Sequence, residues 1–106
     1  MKKLYGVIAV LLVAAMLIPA CAPKAPDCTK ADVFCVGMVT DVGKIDDKSF
    51  NQSSWEGVKL AESELGAIVQ YIETTDSKDY AKNISTFADA GYDVIVTVGF
   101  ALGEAS

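Results

Sequence analysis

Three short runs rich in valine and isoleucine, VFCVGMV (33–39), AIVQYI (67–72) and VIVTV (94–98), alternate with two stretches of helical period, and each helical stretch stops at a glycine. This alternation constrains the fold more than any other feature of the chain. VFCVGMV reads as a strand buried on both faces, and AIVQYI and VIVTV read as a second and a third strand. In residues 53–65, SSWEGVKLAESEL, Trp55, Val58, Ala61 and Leu65 fall near one helical face, Ser53 with Glu56 fits a capping box, and Gly66 fits the stop. A second helix is predicted from about Lys78 to Ala90, with Tyr80, Ile84, Phe87 and Ala88 inward, Asp76 or Ser77 as its cap and Gly91 at its end. The resulting fold class is α/β, a parallel βαβαβ unit. Its crossovers are right-handed and its sheet is covered on both sides.

That topology gives the loops their meaning. Ligands of such sheets sit beyond the carboxyl ends of the strands, at a switch point. TDVGKIDDKSFNQ (40–52) follows the first strand and GFALGE (99–104) follows the third. In a sheet ordered 2-1-3 these two loops are neighbours. The first carries three carboxylates, two lysines, a phenylalanine and an Asn-Gln pair.

Several chemistries fail against this loop. Gly37 and Gly43-Lys44 do not match a phosphate-binding P-loop, because Ile45 stands where a hydroxyl is needed. A dinucleotide-binding glycine pattern, a phospho-accepting aspartate after the third strand and the ligand spacing of an EF-hand are all missing. The chain has no histidine, the commonest general base and metal ligand, so no serine has a histidine partner. What remains is binding. Asp41 can accept hydrogen bonds, Asn51 can donate and accept, and Phe50 can stack on a flat ligand. Structural alternatives stand beside these roles: a turn residue for Asp41, a helix cap for Asn51, and for Phe50 a core residue that staples the helix start. Asp46, Asp47, Lys44 and Lys48 read as solvated charges.

The N-terminus points to export. Lys2 and Lys3 precede the uncharged stretch Leu4 to Leu17, which is too short for a membrane span of about 20 residues. Residues 1–20 read as a signal peptide, and IPAC (18–21) resembles a bacterial lipobox in which Cys21 is lipidated. Cleavage after Ala22 and a retained anchor are the alternatives. Residues 21–32, with two of the chain's three prolines, form a lipidated tether, and residues 33–106 form the body. Residues 21–106 carry seven lysines against fourteen acids, a net of −7, and no arginine. Nucleic acid is excluded as a partner, because phosphate neutralisation needs lysine and arginine. Cys28 and Cys35 can pair in a disulfide in an exported protein, or Cys35 can be a buried strand thiol. No cofactor is implied, and two thiols without histidine fall short of a zinc site.

GMVTDVGKIDDKSFNQSSWEG (37–57) resembles the opening signature of the basic membrane lipoprotein (BMP) family, substrate-binding lipoproteins of ABC transporters. Asp41, Gly43, Asp46 or Asp47, Ser49, Phe50, Asn51, Gln52, Trp55 and Gly57 carry the resemblance, with the later IVTVGF (95–100). It implies a type I periplasmic-binding-protein fold of two lobes, of which this chain holds part of the N-terminal one. It also implies a purine nucleoside as ligand, an ABC permease as partner, and a place on the cell membrane, lipid-anchored and facing the periplasm or exterior. By the resemblance Asp41 binds ribose or base polar groups, Phe50 stacks on the base and Asn51 hydrogen-bonds to it. It implies no enzyme. Two other readings remain: a small exported metal-dependent hydrolase using Asp41, Asp46 and Asp47, and a sugar or signal-molecule receptor on the same fold.

Overall fold

The computed structural model describes residues 26–106; the segment expected to be a signal peptide, Cys21 and the start of the expected tether lie outside the described residues. Strand β1 (Cys35–Val42) is followed by helix α1 (Phe50–Leu65), strand β2 (Ile68–Thr74), a 3-10 turn (Ser77–Asp79), helix α2 (Tyr80–Asp89), strand β3 (Val94–Val98) and a second 3-10 turn (Phe100–Leu102). The sheet is parallel with order β2-β1-β3, so the 2-1-3 arrangement expected from the sequence is the one observed.

β1 is the central strand, and its six residues Cys35 to Thr40 are all buried. Alternation along a strand sends successive side chains to opposite faces. Val36 and Met38 accordingly pack with Val58 of α1, flanked by Trp55, Ala61, Val69 and Val96. Val39 packs with Tyr80 and Phe87 of α2 and with Leu102, flanked by Ile72, Ile84 and Ile95. The two helices therefore cover opposite faces. Between them Gly37 gives its side-chain space to the Phe87 ring: a Cβ there would lie 2.5 Å from the ring.

Several boundaries differ from those read in the sequence, each for a local reason. β1 begins at Cys35 rather than Val33 and runs on to Val42, past a register irregularity between Val39 and Val42. The Thr40 hydroxyl supports this extension by accepting from the Thr74 N–H at 3.2 Å. α1 begins at Phe50 rather than Ser53, because Asp47, not a Ser53–Glu56 box, supplies the acceptor for its first turn. Gly66 ends α1 in the left-handed conformation at φ 67°, its N–H donating to the Glu62 carbonyl and that of Ala67 to the Ala61 carbonyl. Leu65 is exposed, although it borders the same groove as Val58 and Ala61 of the foreseen helical face. Ala88 is exposed too, because the stripe that meets the sheet is Tyr80, Ile84 and Phe87.

Cys28 and Cys35 form a disulfide with Cα atoms 5.8 Å apart. It ties the segment before the sheet to the first residue of β1. Asp93 secures the same point: its carboxylate accepts from the Cys35 N–H at 2.8 Å and its own N–H donates to the Cys35 carbonyl.

Candidate functional site

The carboxyl end of the sheet carries a cavity of about 560 Å³ lined by Asp41, Asp47, Phe50, Asn51, Val98, Gly99 and Phe100. That volume lies within the usual range for small-molecule sites. Three sequence-selected residues, Asp41, Phe50 and Asn51, meet here although they come from a strand and a helix.

The β1–β3 register pairs Thr40 with Val98, so the next residues, Asp41 and Gly99, come side by side. Gly99 has φ 116°, and a Cβ at this position would overlap the Asp41 carboxylate. Only a glycine meets both demands, positive φ and the close approach of a side chain. Asp41 is thus a strand residue, not a turn residue. The ion pairs among the described residues are Lys44–Glu73 and Lys78–Asp76, which leaves Asp41 without a cationic partner there.

The loop between β1 and α1 is held by side-chain bonds to its backbone. The Asp47 carboxylate accepts from the N–H groups of Ser49, Asn51 and Gln52 at 2.8, 3.1 and 3.0 Å. These would otherwise be orphan donors of the helix start. Asp47 is therefore a capping residue rather than a solvated charge. Partial desolvation pushes its carboxyl up, but the N–H groups of Gln52, Ser49 and Asn51 outweigh it and hold the group below the ordinary carboxylate range. Glu73, at the end of β2, accepts from the Ile45 N–H at 2.7 Å and pairs with Lys44 at 3.5 Å, fixing the front of the loop.

Phe50 and Asn51 open α1 and behave oppositely. Phe50 is 76% exposed, so it does not staple the core. Asn51 is buried, donates through Nδ2 to the Lys44 carbonyl at 3.1 Å, and keeps Oδ1 buried without a partner among the described residues. Its role as a helix cap is taken by Asp47. A buried carbonyl oxygen left unpaired costs free energy, so it is an acceptor waiting for a donor. Phe100, absent from the residues selected in the sequence, also lines the cavity and is fully exposed. Its signal was the Gly-Phe pair directly after the third apolar run.

The acids do not assemble a metal centre. Among the described residues no group of three His, Cys, Asp or Glu side chains could hold a metal ion. The three acids of the hydrolase reading are not brought together as a set: both Asp47 oxygens serve backbone N–H groups, and Asp46 does not line the cavity.

A family model described as "Bmp: ABC transporter substrate-binding protein PnrA-like" matches residues 34–106. The chain is 38% identical over 87 residues to a CD4+ T-cell-stimulating antigen of Listeria innocua, covering 77% of this chain and 24% of that protein. It is 40% identical over 77 residues to the protein of the same name in Listeria monocytogenes, covering 68% and 22%. An ABC transporter nucleoside-binding protein, BmpA of Lactococcus lactis, is 29% identical over 112 aligned positions, covering 99% and 32%. The chain thus spans about a quarter to a third of the length of these relatives.

Proposed function

The chain belongs to the Bmp family of PnrA-like ABC transporter substrate-binding proteins, and on that premise we propose that its cavity is one wall of a cleft that captures a neutral nucleoside for an ABC importer. The family is one of binding proteins, not enzymes. The observation that carries the ligand reading is that an exposed Phe50 and Asn51, whose buried Oδ1 has no partner among the described residues, line one cavity. A phenyl face left in water is a stacking platform. An orphan amide oxygen beside it selects a ring that carries a donor on its edge.

Charge narrows the ligand further. Among the described residues Asp41 and Asp47 line the cavity and no lysine does. A phosphorylated ligand would meet carboxylates without a counter-charge, whereas the hydroxyls of a ribose are donors suited to Asp41. The nucleoside-binding name of the Lactococcus lactis relative points the same way. Residues 33–106 are then part of the N-terminal lobe of the binding protein, residues 1–20 its signal peptide and residues 21–32 its tether. A permease is the partner, and the protein is held to the outer face of the cell membrane through Cys21.

Phe50→Ala tests the reading. Calorimetric titration of inosine, guanosine and adenosine into the purified protein should show a loss of about 1–3 kcal/mol, the usual worth of a base–aromatic stack. Its melting point should hardly move, because the ring is exposed. Unchanged affinity in folded Phe50→Ala protein would refute the assignment.

A further inference from the structure

Glu73 and Thr74 end β2 and are not among the residues that line the cavity, yet the β1–α1 loop is tied to them. The Gly43 N–H donates to the Thr74 carbonyl at 3.4 Å, and the Ile45 N–H donates to the Glu73 carboxylate at 2.7 Å. Lys44 Nζ reaches the same carboxylate at 3.5 Å. Thr74 is itself held. It is buried, its N–H donates to Thr40 Oγ1 at 3.2 Å, and its hydroxyl accepts from Asn83 Nδ2 of α2 at 3.0 Å. The end of β2 is thus a fixed post for the loop.

Of the two Glu73 contacts, the one to the backbone dominates. The Lys44 side chain is 75% exposed, so its ion pair is screened by water. The bond from the Ile45 N–H is short, charge-assisted and half-buried. It also acts at a distance. The Ile45 N–H and the Lys44 carbonyl belong to one planar peptide, so holding the first aims the second. That carbonyl accepts from Asn51 Nδ2 at 3.1 Å. Gly43 leaves room for the same nitrogen, since a Cβ there would lie 3.1 Å from it. A side-chain amide has a donor end and an acceptor end. Committing Nδ2 to Lys44 leaves Oδ1 as the end without a partner among the described residues, on a residue that lines the cavity.

From this chain of bonds, and resting on the nucleoside reading above, we infer that Glu73 is a positioning residue for the cleft: through the Lys44–Ile45 peptide it sets the Asn51 amide so that the ligand meets an acceptor. The cleft then prefers a purine whose ring edge carries an N–H over one whose ring edge carries only acceptors. Without the Glu73 carboxylate the peptide is free to rotate, the amide is free to turn over, and the preference is lost.

The test titrates inosine, whose ring edge carries an N–H, and purine riboside, whose ring edge carries none, into the purified protein and its Glu73→Ala, Glu73→Asp, Glu73→Gln and Asn51→Ala variants. Folded fractions are measured by circular dichroism and affinities expressed per folded molecule. Wild type should favour inosine on the order of tenfold, as for one hydrogen bond to a buried acceptor. Glu73→Ala should reduce that preference to under about threefold. Glu73→Asp, one methylene shorter, should do the same and serves where the alanine variant does not fold. Glu73→Gln keeps an acceptor for the Ile45 N–H and should keep the preference. In the Asn51→Ala background, which has no amide to turn, adding Glu73→Ala should leave the ratio unchanged. If Glu73→Ala and Glu73→Asp lower the melting temperature while the ratio holds, Glu73 is structural and the inference is overturned, with the nucleoside reading intact. A preference lost as fully in Glu73→Gln as in Glu73→Ala would also overturn it. A wild type that binds both nucleosides equally would overturn the amide setting and leave the nucleoside reading standing. If neither nucleoside binds wild type, the reading and the inference fall together.

Discussion

Replacing Gly99 with alanine probes the contact that joins the two walls of the site. The new Cβ would lie 2.6 Å from Asp41 Cγ and 2.9 Å from Asp41 Cβ, and closer still to Oδ2. Rotating the aspartate about χ1 moves the carboxylate away but leaves its Cβ in place, so the ends of β1 and β3 must also part. Backbone strain at φ 116° and the overpacking each cost on the order of 1–3 kcal/mol, for a total of about 2–6 kcal/mol. That is a large share of the ~5–15 kcal/mol that holds a typical domain. Urea unfolding followed by the fluorescence of Trp55, the chain's single tryptophan, reads the loss. A double-mutant cycle with Asp41→Gly separates the two parts, because removing the aspartate side chain relieves the clash and leaves the strained φ. The cycle should return a coupling of about 1–3 kcal/mol. If Gly99→Ala alone is too unstable to fold, recovery of cooperative unfolding in the double variant is the same result. Additive effects, with a coupling under about 0.5 kcal/mol, would refute the argument that Gly99 is required by Asp41.

Gly37→Ala should destabilise the protein by about 1–3 kcal/mol, because the added methyl meets three atoms of the buried Phe87 ring at 2.5–2.7 Å; Phe87→Leu in the same chain should recover part of it, and a wild-type thermal melt of Gly37→Ala would contradict the packing. Asp47 has a folded-state pKa below its unfolded value, so its stabilisation is present above the ordinary carboxylate pKa of about 4 and is lost as pH falls through the lower folded value. Asp47→Asn should therefore melt lower than wild type at pH 6 and approach it at pH 3, while an unchanged gap would show that the cap carries no charge-dependent stability. Cys21, proposed as the lipid-bearing residue because it closes the IPAC stretch, should carry two acyl chains, each buried CH₂ contributing about 0.8 kcal/mol of membrane affinity; Cys21→Ser should release the protein from membranes, and mass spectrometry of an unmodified Cys21 in mature membrane-extracted protein would oppose the assignment.

The sequence by itself determined the layers, their order and the end of the sheet at which a ligand belongs. Those features depend on short-range signals: runs such as VFCVGMV (33–39) that suit a buried strand, the Tyr80, Ile84, Phe87 stripe, and the stops at Gly66 and Gly91. The residues Asp41, Phe50 and Asn51 were legible because their chemistry was concentrated in one loop. Tertiary structure alone decided how they are held. Whether Phe50 staples the core or faces water depended on where α1 begins, and that was set by Asp47 reaching three backbone N–H groups. A Ser53–Glu56 box would have been equally good locally. The pairing of Thr40 with Val98 brought Gly99 against Asp41 across 58 residues of chain and placed Phe100 at the same cavity. Strand register is fixed by burial across the whole sheet, so no local pattern in GFALGE could announce which side chain it would meet.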